Sequence, residues 1–142
     1  MFSSKTIKCR VFEPTKLKYQ ALKQEYDNLQ KFLELERIGA DWIAENIPLH
    51  SANKQQSLRY YKKIKSDKRY PISIRKDQII LKKTKHKFCK YWVRIPVKQR
   101  RGGLWLPIKP HCKFPKDYKL CESKIFKKDN NFEIHIVVKK TN

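Results

Sequence analysis

The sequence predicts an α+β fold: a small antiparallel β-barrel with a helical insertion after its first strand. Three observations carry this. Residues 5–12 alternate apolar and polar with period two, residues 16–65 repeat apolar side chains at helical spacing, and residues 67–142 fall into short β-rich segments divided by turn signals. The first strand is expected to join the later ones in one barrel-like sheet. That divides the chain into 1–14 (first strand), 15–66 (helical insertion) and 67–142 (remainder of the barrel).

In KTIKCRVF (Lys5–Phe12), Ile7, Cys9 and Val11 share one face, as a half-buried strand requires. Glu13-Pro14-Thr15 breaks it, and Thr15 is an N-cap candidate. Leu22, Tyr26, Leu29 and Leu33 then recur on one face of a helix that reaches about Glu36, with Gly39 as its stop. Ala40–Ile47 predicts a short helix ended by Pro48. Ser51 caps another over Ala52–Lys65, with Leu58, Tyr61 and Ile64 on its apolar side. Its other side offers Lys54, Gln55, Arg59, Lys62 and Lys63, a basic face suited to nucleic acid or simply to water. After Asp67 come YPISIR, QIIL, KYWVRIPV, LWLPI, KLCESKIF and FEIHIVVK. In the last, Phe132, Ile134, Ile136 and Val138 alternate with Glu133, His135, Val137 and Lys139, and Asp129-Asn130-Asn131 turns it back on KLCESKIF.

Composition bounds the function. The chain has 142 residues and is 39% apolar, enough for one domain with a real core. With only 3 Gly it has no P-loop or dinucleotide fingerprint. No apolar run approaches the ~18 residues of a membrane span, and residues 1–10 lack the apolar stretch of a signal peptide, so a cytoplasmic location without membrane contact is expected. Cys9, Cys89, Cys112 and Cys121 are scattered without paired spacing and read as free thiols. No catalytic constellation is present: the 6 acidic residues of the second half sit at turns and on strands in no nuclease spacing. The expectation is a protein that is not an enzyme and takes no metal or cofactor.

Charge points to a polyanion. The formal net charge is +22, and such an excess opposes compaction by self-repulsion. A thermophile's Lys-rich surface would carry comparable Glu. Residues 1–66 hold 13 basic and 7 acidic residues; residues 67–142 hold 22 and 6. The second half is thus the better surface for phosphate contact. In VRIPVKQRRGGLWLPIKP (Val93–Pro110), Lys98, Arg100 and Arg101 precede Gly102-Gly103, read as a turn. Guanidinium groups there suit phosphate, and the nearby Trp92 and Trp105 read as core. Arg69, Arg75, Arg94 and Lys109 complete the candidates of this half.

Three motifs, in order, resemble a known family. The strand with RVFEPT (Arg10–Thr15), the helix SANKQQSLRYY (Ser51–Tyr61) followed by YP and basic residues (Tyr70–Arg75), and the closing hairpin SKIFKKDNNFEIHIVVKK are similar to landmarks of the transposon-encoded TnpB (OrfB) proteins, relatives of type V CRISPR effectors. The resemblance covers nearly the whole chain. It implies an oligonucleotide-binding-like barrel, the wedge, with a recognition insertion that grips structured guide RNA, here transposon-derived, and reads duplex DNA beside the target. The helix bearing Gln55 is where that reading occurs; Ser51 stands where the family often has Lys, which puts the motif read in doubt. In the family the closing strand runs on into a RuvC-like nuclease domain, so the expectation is the recognition half without its nuclease. Two other readings stay open: an unrelated basic RNA-binding barrel associated with ribosome or tRNA, and a small nuclease of unknown type.

Overall fold

The computed structural model describes residues 4–140. Strand β1 (Ser4–Val11) comes first. Helices α1 (Lys16–Arg37), α2 (Asp41–Ala44) and α3 (Ser51–Tyr60) follow. Seven strands follow among the described residues: β2 (Ile72–Ile74), β3 (Ile80–Lys83), β4 (Tyr91–Val97), β5 (Arg100–Pro110), β6 (Tyr118–Leu120), β7 (Ser123–Lys128) and β8 (Asn131–Lys140). All eight strands form one antiparallel, curled half-barrel sheet in the order β2-β7-β8-β1-β5-β4-β3, with β6 pairing β8 off that path. The N-terminal strand therefore lies inside the sheet, between β8 and β5, and the helices are an insertion after it.

Register explains the core. Residues paired across an antiparallel ladder share a face. Ile7 lies opposite Ile136 and Cys9 opposite Ile134; Val11 lies opposite Ile108. Val93 faces Leu106 on the next pair of strands, and Ile125 faces Ile134. These side chains are buried in one cluster with Leu22, Tyr26, Leu29, Phe32 and Leu33 of α1. Tyr19 and Tyr26 meet the ring of Phe132 at centroid distances of 5.6 and 5.8 Å. Burying a ring or branched aliphatic of this kind contributes about 1.5–3 kcal/mol.

Thr15 caps α1 by accepting from the Lys18 N–H at 3.3 Å. The start and facing of α3 differ from expectation. His50, not Ser51, is the N-cap: its Nδ1 accepts from the Ala52 N–H at 3.1 Å, which requires a neutral ring with its proton on Nε2. The helix ends at Tyr60, short of Lys65, and Leu58 is exposed. Ala52, Asn53, Gln56 and Ser57 face inward instead. α3 packs onto β2 and α1 through this largely polar face. The predicted Ala40–Ile47 helix is reduced to the single turn of α2.

One carboxylate fastens the helices to the sheet. Glu25 on α1 is only 1% exposed. Its Oε2 accepts from the His50 N–H at 3.0 Å and from Asn53 Nδ2 at 2.7 Å, and its Oε1 accepts from the Lys98 N–H at 2.9 Å. Asn53 also donates to the Pro96 carbonyl at 2.9 Å. The start of α3 and the β4–β5 turn are thereby held to α1.

Two stability predictions arise here. Glu25→Gln keeps the volume but turns an NH2 group toward a donor, so it should destabilise by about 1–3 kcal/mol, read as a lower melting temperature by circular dichroism. His50 is held below the usual histidine value, first by burial, then by Lys98 and Arg94, with Glu25 opposing. The folded state thus resists protonation that the unfolded chain accepts. Stability should be flat above about pH 6.5 and decline as the pH falls from there through the lowered folded value. Asn caps helices equally well, so His50→Asn should flatten that slope while keeping the melting temperature at pH 8.

Candidate nucleic-acid interface

If alternate strand residues fill the core, the others face outward and the pairing aligns them in rows. Lys109 (β5), Arg10 (β1), Glu133 (β8) and Phe126 (β7) form one row. Lys8, His135 and Lys124 form the next, across β1, β8 and β7. Farther along the sheet, Ile80, Arg94 and Trp105 align across β3, β4 and β5, as do Lys82, Trp92 and Pro107. Among the described residues, Glu133 is the one carboxylate at an outward strand position. It is engaged with His135, Oε1 to Nε2 at 2.6 Å.

Placing Arg10 directly opposite Lys109 is unfavourable in isolation, since like charges across a ladder repel. The Lys109 ammonium turns onto the ring of Phe12, 4.3 Å from its centroid, which offsets part of that repulsion. The remainder is a positive potential facing solvent.

The Gly-Gly pair is not a turn. The β4–β5 turn is Lys98-Gln99, and Gly102 and Gly103 lie within β5 with φ of +85° and +99°. Between the pairs Ile95–Leu104 and Val97–Arg100, β4 has one residue and β5 has three, so β5 bulges. The Arg94 side chain lies over this bulge. Its Nε donates to the Gly102 carbonyl, and a Cβ on Gly103 would collide with it. Lys98, Arg100 and Arg101 remain exposed at the tip of this hairpin. Their turn is held by the Lys98 N–H bond to Glu25.

The other expected site residues fall into two groups. On α3, Ser51, Gln55 and Arg59 are exposed, and Lys62 and Lys63 follow in the exposed chain after it. Lys54 is drawn down, donating to the Glu45 carbonyl at 2.9 Å. Arg75 is bidentate to Asp77 at 2.9 and 2.6 Å, with a long contact of 3.4 Å to Gln55 Oε1. Its charge is thus already met. Arg69 leans over the Tyr26 ring at 5.8 Å, with Asp27 at 3.9 Å. Arg94, Lys109 and the hairpin tip belong instead to β4 and β5. The sequence-based candidates therefore lie in two places, α3 with its following chain and the β4–β5 sheet.

The tryptophans correct the expectation that they are core. Val93 and Leu106 take the core positions, so their neighbours Trp92 and Trp105 point to the other face and are half-buried there. Residues that sequence reasoning missed include Lys8, Arg10, Lys82 and Lys124, together with Phe88, which is 63% exposed in the basic β3–β4 loop. Their signal is parity: each sits one residue from a core position in its strand, or, for Phe88, amid Lys85, Lys87 and Lys90.

Among the described residues no three of His, Cys, Asp and Glu are grouped so as to hold a metal ion. All four cysteines are free thiols, and burial, with Cys112 and Glu133 nearby, pushes Cys9 up to about 12, making it a poor nucleophile. No described helix is long and apolar enough to cross a membrane. No protein-family model matches the chain, and no curated protein matches it.

Gly103→Ala should cost about 1–3 kcal/mol, because alanine at this φ is strained and its methyl displaces Arg94. A lowered denaturation midpoint with an unchanged m-value would bear this out.

Proposed function

We propose that this chain is a nucleic-acid-binding module, and specifically an RNA binder, that engages phosphate through the outward face of its sheet. The observation that carries this is the aligned set of Lys8, Arg10, Lys109, Lys124, Arg94 and Lys82 on one face against the single carboxylate of Glu133. Self-repulsion of this kind destabilises a fold unless a polyanion offsets it. The net charge of +22 supplies the long-range attraction.

The finer reading is that of a TnpB-like wedge and recognition unit, with transposon-derived structured RNA and duplex DNA as partners. It rests on the order of the three sequence motifs, not on any family match. Gln55 and Arg59, exposed on α3, are the residues that would reach a duplex. We take the module to be a binder rather than an enzyme, and cytoplasmic: four thiols with no disulfide among them suit a reducing compartment. Sequencing the RNA that copurifies with the chain tests the finer reading. Enrichment of one structured transposon-end RNA supports it, and an unselective mixture of ribosomal and transfer RNA favours the alternative of a ribosome- or tRNA-associated barrel.

Binding to a structured RNA should weaken by orders of magnitude between ~50 and ~200 mM salt. The triple variant Lys8→Gln, Arg10→Gln, Lys109→Gln should lower the log–log salt slope by up to about 2–3, since each lost contact removes roughly 0.7–0.9. Lys31→Gln, on the exposed side of α1, serves as the control. A slope unchanged in the triple variant, at a preserved melting temperature, would show that phosphate is held elsewhere. Incubation of labelled RNA and DNA with Mg²⁺ or Mn²⁺ should leave both intact; cleavage abolished by one carboxylate substitution would make the chain a nuclease.

A further inference from the structure

The tryptophan face is built for more than phosphate. Trp92 and Trp105 lie on adjacent strands, offset by one row of the pairing. With Lys82 and Thr84 they line an open groove of about 210 Å³. This is below the ~300–1,000 Å³ of pockets that hold drug-sized ligands, and it suits one or two flat rings. Ile80, 43% exposed on β3, extends the apolar floor beside Arg94.

The rim is cationic on both sides. Lys82 stands opposite Trp92 in register. From α1, the Lys18 ammonium sits 4.9 Å from the centroid of the Trp92 ring. Lys18 is held below the usual lysine value by burial and by repulsion from Arg100. An anion arriving there would relieve that repulsion.

We propose that Trp92 and Trp105 form a stacking platform for unpaired bases of an RNA single strand, with Lys82, Lys18 and Arg100 holding the phosphates on either side. Half-buried indoles that line an open groove and are flanked by cations fit the two halves of a nucleotide, and base–aromatic stacking contributes ~1–3 kcal/mol per base. The bases of a duplex are stacked on each other and unavailable, whereas RNA loops present theirs unpaired. This deepens the nucleic-acid reading and rests on it. A second copy of the chain is the other occupant the groove would admit; the uncompensated charge disfavours it, since Lys82, Lys18 and Arg100 would meet their own copies.

The test uses tryptophan fluorescence in the full chain carrying Trp42→Phe. Trp42 is 73% exposed on α2 and does not line the groove, and its removal leaves Trp92 and Trp105 as the two reporters. The probes are a ten-nucleotide single-stranded oligouridylate and a blunt RNA duplex of equal length. The single strand should quench the emission strongly, and the duplex only weakly. Trp105→Ala should weaken single-strand binding at least fivefold while leaving duplex affinity within about twofold, and Trp105→Phe, which keeps a ring, should restore most of the loss.

Three outcomes overturn the proposal: equal quenching by the duplex; unchanged single-strand affinity in Trp105→Ala with its melting temperature preserved; or a concentration-dependent dimer that buries the tryptophans and excludes the oligonucleotide. If Trp105→Ala has no effect while salt-dependent RNA binding persists, the platform fails and the nucleic-acid reading stands. If neither probe binds at low salt, both fall.

Discussion

Strand β1 holds together two halves of a sheet that, among the described residues, have no other ladder between them. On one side β8 pairs it from Ser4 to Arg10; on the other β5 pairs it from Cys9 to Val11. Without it, β2, β7, β8 and β6 would form one sheet and β5, β4 and β3 another. The β1–β8 ladder therefore joins segments that lie far apart along the chain. Contacts of this sequence separation slow folding, because loop closure is opposed by entropy before pairing compensates. The polar ties recruited along the way help to close it: Asn131 Nδ2 donates to the Val11 carbonyl at 2.9 Å, fixing the β7–β8 turn to the end of β1. Glu25 plays the equivalent part for the helices, drawing two elements from far along the chain to one carboxylate on α1.

The same parity that makes β1 a core strand decides where the charge goes. A strand with Ile7, Cys9 and Val11 inward must present Lys8 and Arg10 outward, and its neighbours repeat the rule. The positive face is thus the other side of the hydrophobic core. A slip of one residue in register would bury Arg10 and expose Ile7 together. Stability and surface charge are in this sense written in one alternation, and the repulsion between Arg10 and Lys109 is tolerated because the core beneath them is continuous.

The architecture was legible because periodicity changes sharply. Two-residue alternation around Ile7 and Ile134, and helical spacing from Leu22 to Leu33, leave little choice of element. The capping of α1 by Thr15 was readable for the same local reason. What was not legible depends on partners distant in sequence. His50 caps α3 because Glu25, 25 residues away, fixes its backbone. Leu58 is exposed although it is the most apolar residue of α3, because the face turned to β2 and α1 is that of Ala52, Asn53, Gln56 and Ser57. Gly102-Gly103 suggested a turn since glycine at positive φ most often marks one; here the freedom serves a bulge that makes room for Arg94.

Trp92 and Trp105 show how the site was hidden. Their size favours burial on average, and the segments around them, YWVRIPV and LWLPI, are apolar enough to look buried on both faces. The structure separates the two faces. Val93, Ile95, Leu104 and Leu106 account for the interior, and the indoles are what remains. An apolar pair on the outside of a sheet loses stabilisation relative to a buried one, and the flanking cations make it a poor surface for another apolar protein. A ligand that joins flat rings to anions, as proposed above, would satisfy both features at once. On the reading proposed above, the outward tryptophans and the excess of lysine and arginine serve one requirement, a surface matched to nucleotides rather than to phosphate alone.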